Sequence, residues 1–133
     1  MIGHRFGTCV LVVAALFSLM TTWGSAAAPA RFAGRLGLTL ANAGGTNEIR
    51  AQYAGFFFAV AFVCLAALAG VLSRQAAFVV LAAVFGGLIL GRIGSLLIDG
   101  GMTGYSPTIV ALYAIDTTGF LLALSALSFD RTA

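Results

Sequence analysis

The chain has 133 residues, of which 61% are hydrophobic and only 8% charged, and its mean hydropathy is +1.07. A water-soluble domain carries about 25% charged residues, so water is not the solvent for most of this surface; lipid is. The net charge of +3 comes entirely from arginine, and the arginines are scattered. Nucleic-acid binding needs basic residues gathered on one face or stripe, so no nucleic-acid partner is expected, and the arginines are assigned to headgroup contact and topology.

A spanning helix takes about 20 residues, which leaves room for four helices, short loops and no soluble domain. The expected fold is all-α: one integral-membrane, up-down four-helix bundle over residues 1–133, with helices near residues 8–28, 48–72, 76–98 and 108–128. The first apolar run follows His4 and Arg5 and ends in Ser25-Ala26-Ala27-Ala28. That pattern also fits a cleavable secretory signal. Pro29 beside the small-residue site, and a remainder that is itself a membrane protein, favour a retained helix. In residues 29–47, Arg31 and Arg35 alternate with Phe32, Leu36, Leu38 and Leu40, which suits a short helix lying in the interface. Asn42-Ala43-Gly44-Gly45 breaks the pattern, and Thr46 or Asn47 is the expected N-cap of the second spanning helix.

Ser73-Arg74-Gln75 is read as a tight turn before the third helix, and Gly100-Gly101, Gly104 and Pro107 as the loop before the fourth. Helices in lipid associate through close packing of small residues. Gly55 and Ala59 on the second helix, and Gly87, Gly91 and Gly94 on the third, are the expected seam. With four helices both termini share a side. That side holds Arg5, Arg74 and Arg131, and the other holds Arg31, Arg35 and Arg50; if Arg50 points into the bundle, cytoplasmic termini follow.

The chemistry concentrates where charge enters the apolar runs. Arg92 and Asp116 each lie inside a span, and intramembrane ionisable residues are rare, face the bundle interior and have partners. At 1.5 Å per residue, Arg92 lies about 9 Å from the middle of its helix and Asp116 about 3 Å from the middle of its own. Asp99 follows two turns after Arg92, and Glu48 and Arg50 begin the second helix. An up-down bundle brings all five to one half of the bilayer, where Gln52, Tyr53, Ser95 and Tyr113 add hydroxyl and amide groups. Arg92 paired with Asp116 or Glu48 could simply fix helix packing. Alternatively, the cluster lines a cavity open to one face. Polar groups confined to one half argue against a conducting path.

No Cys/His pair, metal-ligand spacing or phosphate-cradling loop is present. Cys9 and Cys64 fall in apolar runs and read as small hydrophobes. No catalytic residue, metal or cofactor is expected, and Trp23, Tyr53, Tyr105 and Tyr113 read as interfacial anchors or packing residues.

The run Asn47-Glu48-Ile49-Arg50-Ala51-Gln52-Tyr53-Ala54-Gly55 resembles the most recognisable stretch of the bacterial membrane proteins grouped as domain of unknown function 4345. Gly86-Gly87-Leu88-Ile89-Leu90-Gly91-Arg92, followed by Asp99-Gly100, is similar to that family's second signature. Gly is usual there at the position of Ala54, so this chain relaxes one close contact. The resemblance covers nearly the whole chain. It implies a compact four-helix protein of the bacterial inner membrane with its first helix retained, and it implies no activity.

Three functions are compatible with these residues. The first is a non-enzymatic accessory subunit that packs on a larger membrane protein or on itself, surrounded by membrane lipid. The second is a binder or transporter of a small amphipathic or anionic ligand in a one-sided polar cavity, using Arg50 and Arg92. The third, ranked last, is a membrane enzyme using Glu48 or Asp116 as acid or base.

Overall fold

The computed structural model describes residues 2–131, Ile2 and Arg131 in their backbone only. Its elements are α1 (Ile2–Ala27), α2 (Pro29–Arg35), α3 (Ala43–Ile49), a π-helical turn (Arg50–Gly55), α4 (Phe56–Leu68), α5 (Arg74–Asp99) and α6 (Pro107–Arg131). The α3, π and α4 segments run on as one rod, Ala43–Leu68. With α1, α5 and α6 it makes four helices long and apolar enough to cross a membrane. The chain is an all-helical, multi-pass membrane protein.

Packing divides the bundle into two helix pairs. Helix α5 lies mainly on α6, α1 lies mainly on α4, and contacts between α1 and α6 join the pairs. Leu11, Cys64, Phe78, Leu81 and Ala123 are fully buried at the centre. Cys9 is exposed, and both cysteines are free thiols.

The close-packed seam is reciprocal. A Cβ on Gly119 would stand 2.8 Å from the Phe85 ring, and one on Gly86 would stand 3.0 Å from the Phe120 ring. Each phenylalanine thus lies over the glycine of the facing helix. This is not the stripe expected from sequence. A Cβ on Gly87, Gly91 or Gly94 would meet nothing within 4 Å, one on Gly55 would meet only Arg50 O of its own turn at 3.8 Å, and Ala59 is exposed. Consecutive helix positions differ by about 100° around the axis. Gly86 therefore faces α6 while Gly87 does not.

Local chemistry explains where the helices stop. Helix α2 ends in a Schellman motif: Leu38 N–H donates to Ala33 O (2.9 Å) and Gly37 N–H to Gly34 O (3.0 Å). Gly37 has φ +80°, the left-handed conformation that glycine adopts without a Cβ penalty. Gly70, φ +74°, stops α4 in the same way, with Val71 N–H on Ala66 O and Gly70 N–H on Ala67 O. That is why the second span ends at Leu68 rather than 72. The short interfacial helix expected in residues 29–47 exists only as Pro29–Arg35, and it docks on the bundle through buried Ala33 and Leu36.

The second span also begins earlier than expected. Asn42, rather than Thr46 or Asn47, is the N-cap, and its side-chain oxygen accepts from Gly45 N–H at 3.0 Å. Ala43-Gly44-Gly45 forms the first turn and does not break the helix.

Candidate functional site

The site lies at the end of the bundle where α2, the π turn, α5, the α5–α6 loop and the first half of α6 meet. Hydrogen bonds tie these pieces to one another and to α1. Ser106 Oγ donates to Arg35 O at 2.9 Å, and Thr22 Oγ1 donates to Ala54 O at 3.2 Å. Arg50 Nε reaches Ala26 O at 3.5 Å.

Its centre is Arg92. Nε–H donates to Asp116 Oδ2 at 2.5 Å, and the Asp116 residue is only 2% exposed. Tyr113 holds Arg92 twice: its hydroxyl donates to Arg92 O at 2.8 Å, and its ring lies 5.9 Å from the guanidinium, within cation–π range. Of the five guanidinium N–H donors, only the one on Nε makes a hydrogen bond among the described residues. The partly exposed guanidinium therefore keeps four donors for something else.

A second cluster lies one to two turns further along α5. Asp99 Oδ2 accepts from Ser95 Oγ at 2.9 Å and from Tyr105 Oη at 2.7 Å, and Tyr105 stacks on Tyr113 with centroids 6.4 Å apart. The Tyr105 phenol is held above its ordinary pKa. The Ser95 contact pulls the other way, but the Asp99 hydrogen bond, desolvation, Tyr113 and the Asp99 charge outweigh it.

Two cavities meet at Arg92. The outer one, about 540 Å³, has Tyr53, Gly87, Gly91, Arg92, Ser95 and Tyr105 in its wall. The inner one, about 280 Å³, is walled by Phe17, Arg35, Tyr53, Arg92 and Asp116 among others. Leu36, Tyr53, Leu88 and Arg92 belong to both walls. Gly87 and Gly91 thus leave room for the outer cavity instead of receiving a neighbouring helix.

Of the residues expected to converge, Arg92, Ser95, Asp99, Tyr113 and Asp116 form a connected network, and Tyr53 joins it as a wall residue. Tyr53 is brought there by the π turn, with its ring 4.9 Å from Phe32. Three others do not join. Glu48, Arg50 and Gln52 are exposed, and Glu48 is in neither cavity wall. Arg50 points outward to α1, so it does not lie inside the bundle. The cause is local: the widened π turn changes the rotational register between α3 and α4, and Tyr53, rather than Arg50 or Gln52, turns inward.

Sequence reading missed Arg35 and Tyr105 as site residues. Arg35 arrives only because α2 folds back over the bundle. The spacing of Ser95, Asp99 and Tyr105, one helical turn and then a short glycine-rich loop, was the available signal for Tyr105.

No curated protein and no solved structure matches the chain. A family profile, Domain of unknown function (DUF4345), matches residues 7–127. That match reaches into all four apolar helices and includes every residue lining the two cavities, and the chain belongs to this family.

Proposed function

We propose that this protein binds a small anionic, amphipathic molecule in the one-sided cavity around Arg92, in the bacterial inner membrane and with both termini cytoplasmic. The observation that carries the reading is the guanidinium of Arg92, which spends one of its five N–H donors on the protein. An arginine present only to pin two helices needs no cavity beside it, whereas the partly exposed Arg92 stands in the walls of two. Here one donor anchors the side chain on Asp116 and four remain. Two arginines, Arg35 and Arg92, and one acidic residue, Asp116, line the inner cavity, so the charged residues in its wall carry an excess of one positive charge for an anion. The outer cavity, about 540 Å³, falls within the range of about 300–1,000 Å³ usual for small-molecule sites, and the inner one, about 280 Å³, lies just under it.

The test is mass spectrometry of molecules extracted from the purified protein and from the Arg92→Gln/Asp116→Asn double variant, which removes both charges together and strands neither. An acidic amphiphile enriched with the wild-type protein and lost from the variant is the expected result. Equal recovery from both would overturn the reading.

The accessory-subunit reading is supported by a different observation. Gly87 and Gly91 stay open to the outside, and a partner helix could close over them. Crosslinking from Gly87→Cys in native membranes tests it: a specific adduct supports it, and only lipid adducts count against it. Acid–base catalysis has the least support, since Asp116 is held by Arg92 and Glu48 lies outside both cavities.

A further inference from the structure

A third cavity, about 300 Å³, adjoins the inner one. Phe17 and Ile115 stand in both walls. Its other lining residues include Val10, Val13, Leu81, Phe85 and Leu122, and none is charged. On α6 it extends from Ala114 to Leu122, about 12 Å at the helical rise. Val13, Ala114 and Ile115 are exposed, so the chamber is open at the side of the bundle that faces hydrocarbon.

Three compartments therefore lie in series. The outer one is lined by hydroxyl groups, the inner one has excess positive charge, and the third is an apolar slot open to lipid. We infer that the ligand is a single-chain anionic lipid, whose carboxylate or phosphate head takes the free N–H donors of Arg92 beside Arg35 and whose hydrocarbon tail lies in the slot between α1 and α6. This inference rests on the anion-binding reading above and adds to it the tail and the sideways route of entry. A wholly polar metabolite would leave the slot unused. A neutral lipid would leave the excess charge unanswered. The slot, bounded by α1, α5 and α6, takes one chain.

The experiment uses the full chain in phosphatidylcholine nanodiscs and three photoactivatable probes with the same sixteen-carbon tail, carrying a diazirine midway along it: the carboxylic acid, the alkyl phosphate and the alkyl amine. The expected result is saturable labelling of Val10–Phe17 and Ala114–Leu122 by one or both acidic probes and not by the amine. Which acid labels tells a free fatty acid from a phosphorylated lipid. Excess hexadecanoate should compete, and hexanoate should not. Ala114→Phe, which fills the slot from its exposed edge, should lower labelling about tenfold, or about 1.4 kcal/mol of affinity.

Outcomes against the inference separate cleanly. If hexanoate competes as well as hexadecanoate, or Ala114→Phe changes nothing, the tail assignment falls while anion binding at Arg92 stands. If the amine labels as well as the acids, or labelling spreads without saturation over lipid-facing residues such as Phe62, both readings fall. The Arg92→Gln/Asp116→Asn variant should lose acidic labelling; full retention would likewise overturn both.

Discussion

At the scale of single residues, two kinds of position carry the molecule. One is the buried charge. Asp116 has its carboxylate on Arg92 and almost no exposure. Removing one partner of such a pair strands the other and costs about 3–5 kcal/mol, whereas removing both can be nearly neutral. Asp116→Asn alone is therefore expected to destabilise far more than Arg92→Gln/Asp116→Asn, as read by denaturant unfolding in mixed micelles. Equal losses would mean that Arg92 finds another partner. The other kind is the seam glycine. Gly119→Ala must displace the buried Phe85 ring and should cost about 1–3 kcal/mol by overpacking. Gly87→Ala and Gly91→Ala meet open space and should leave stability unchanged or slightly raised, since alanine has the better helix propensity. The same unfolding assay checks this contrast, and its reversal would move the seam back to the stripe read from sequence.

At the scale of elements, a sequence reports position along a helix better than rotation about it. The four spans follow from apolar runs of bilayer length, and Arg92 and Asp116 were legible because a charge inside such a run is conspicuous. Depth alone could not tell Gly86 from Gly87, one residue and about 100° apart. Nor could it tell Tyr53 from Gln52, because the π turn at Arg50–Gly55 gives no periodic signal and resets the face. π turns of this kind are frequent at functional sites, and this one lies in the stretch by which the chain resembles its family. The opposite end of the bundle is closed by a simpler device. Arg74 pairs with Asp130 at 3.3 Å and donates to Thr8 Oγ1 at 3.0 Å and to His4 O at 2.9 Å. It thereby ties the starts of α1 and α5 to the end of α6. Gly7 makes room for it, since a Cβ there would stand 2.5 Å from Arg74 Nη2 and 2.9 Å from the buried Phe78 ring. Arg74→Gln is expected to speed amide exchange over the first turns of α1 and the last turn of α6 and to leave the Arg92 end protected. Exchange rising equally at both ends would show that the two ends are not independent.

At the scale of the whole molecule, orientation is the property this chain specifies most weakly. Arginine and lysine near the ends of spanning helices set topology, and acidic residues contribute little. The two ends carry three arginines each: Arg5, Arg74 and Arg131 at one, Arg31, Arg35 and Arg50 at the other. The expected tie-breaker, Arg50 withdrawn into the bundle, is absent, because its side chain is exposed. Arg35, which stands in the inner cavity wall, is exposed too, so no arginine at that end is withdrawn. The arginine count is therefore even between the two ends, and a small addition should tip it. Thr39 and Ala41 are exposed in the connection after α2, where lysines disturb no packing. Thr39→Lys/Ala41→Lys is expected to invert a large fraction of molecules. The readout is Leu38→Cys in a Cys9→Ala/Cys64→Ala background, labelled in intact cells by a membrane-impermeant maleimide. Labelling should be strong without the lysines and fall steeply with them. Labelling that is absent in both would put the cavity mouth on the cytoplasmic side from the start, and an anionic lipid would then reach Arg92 from the inner leaflet.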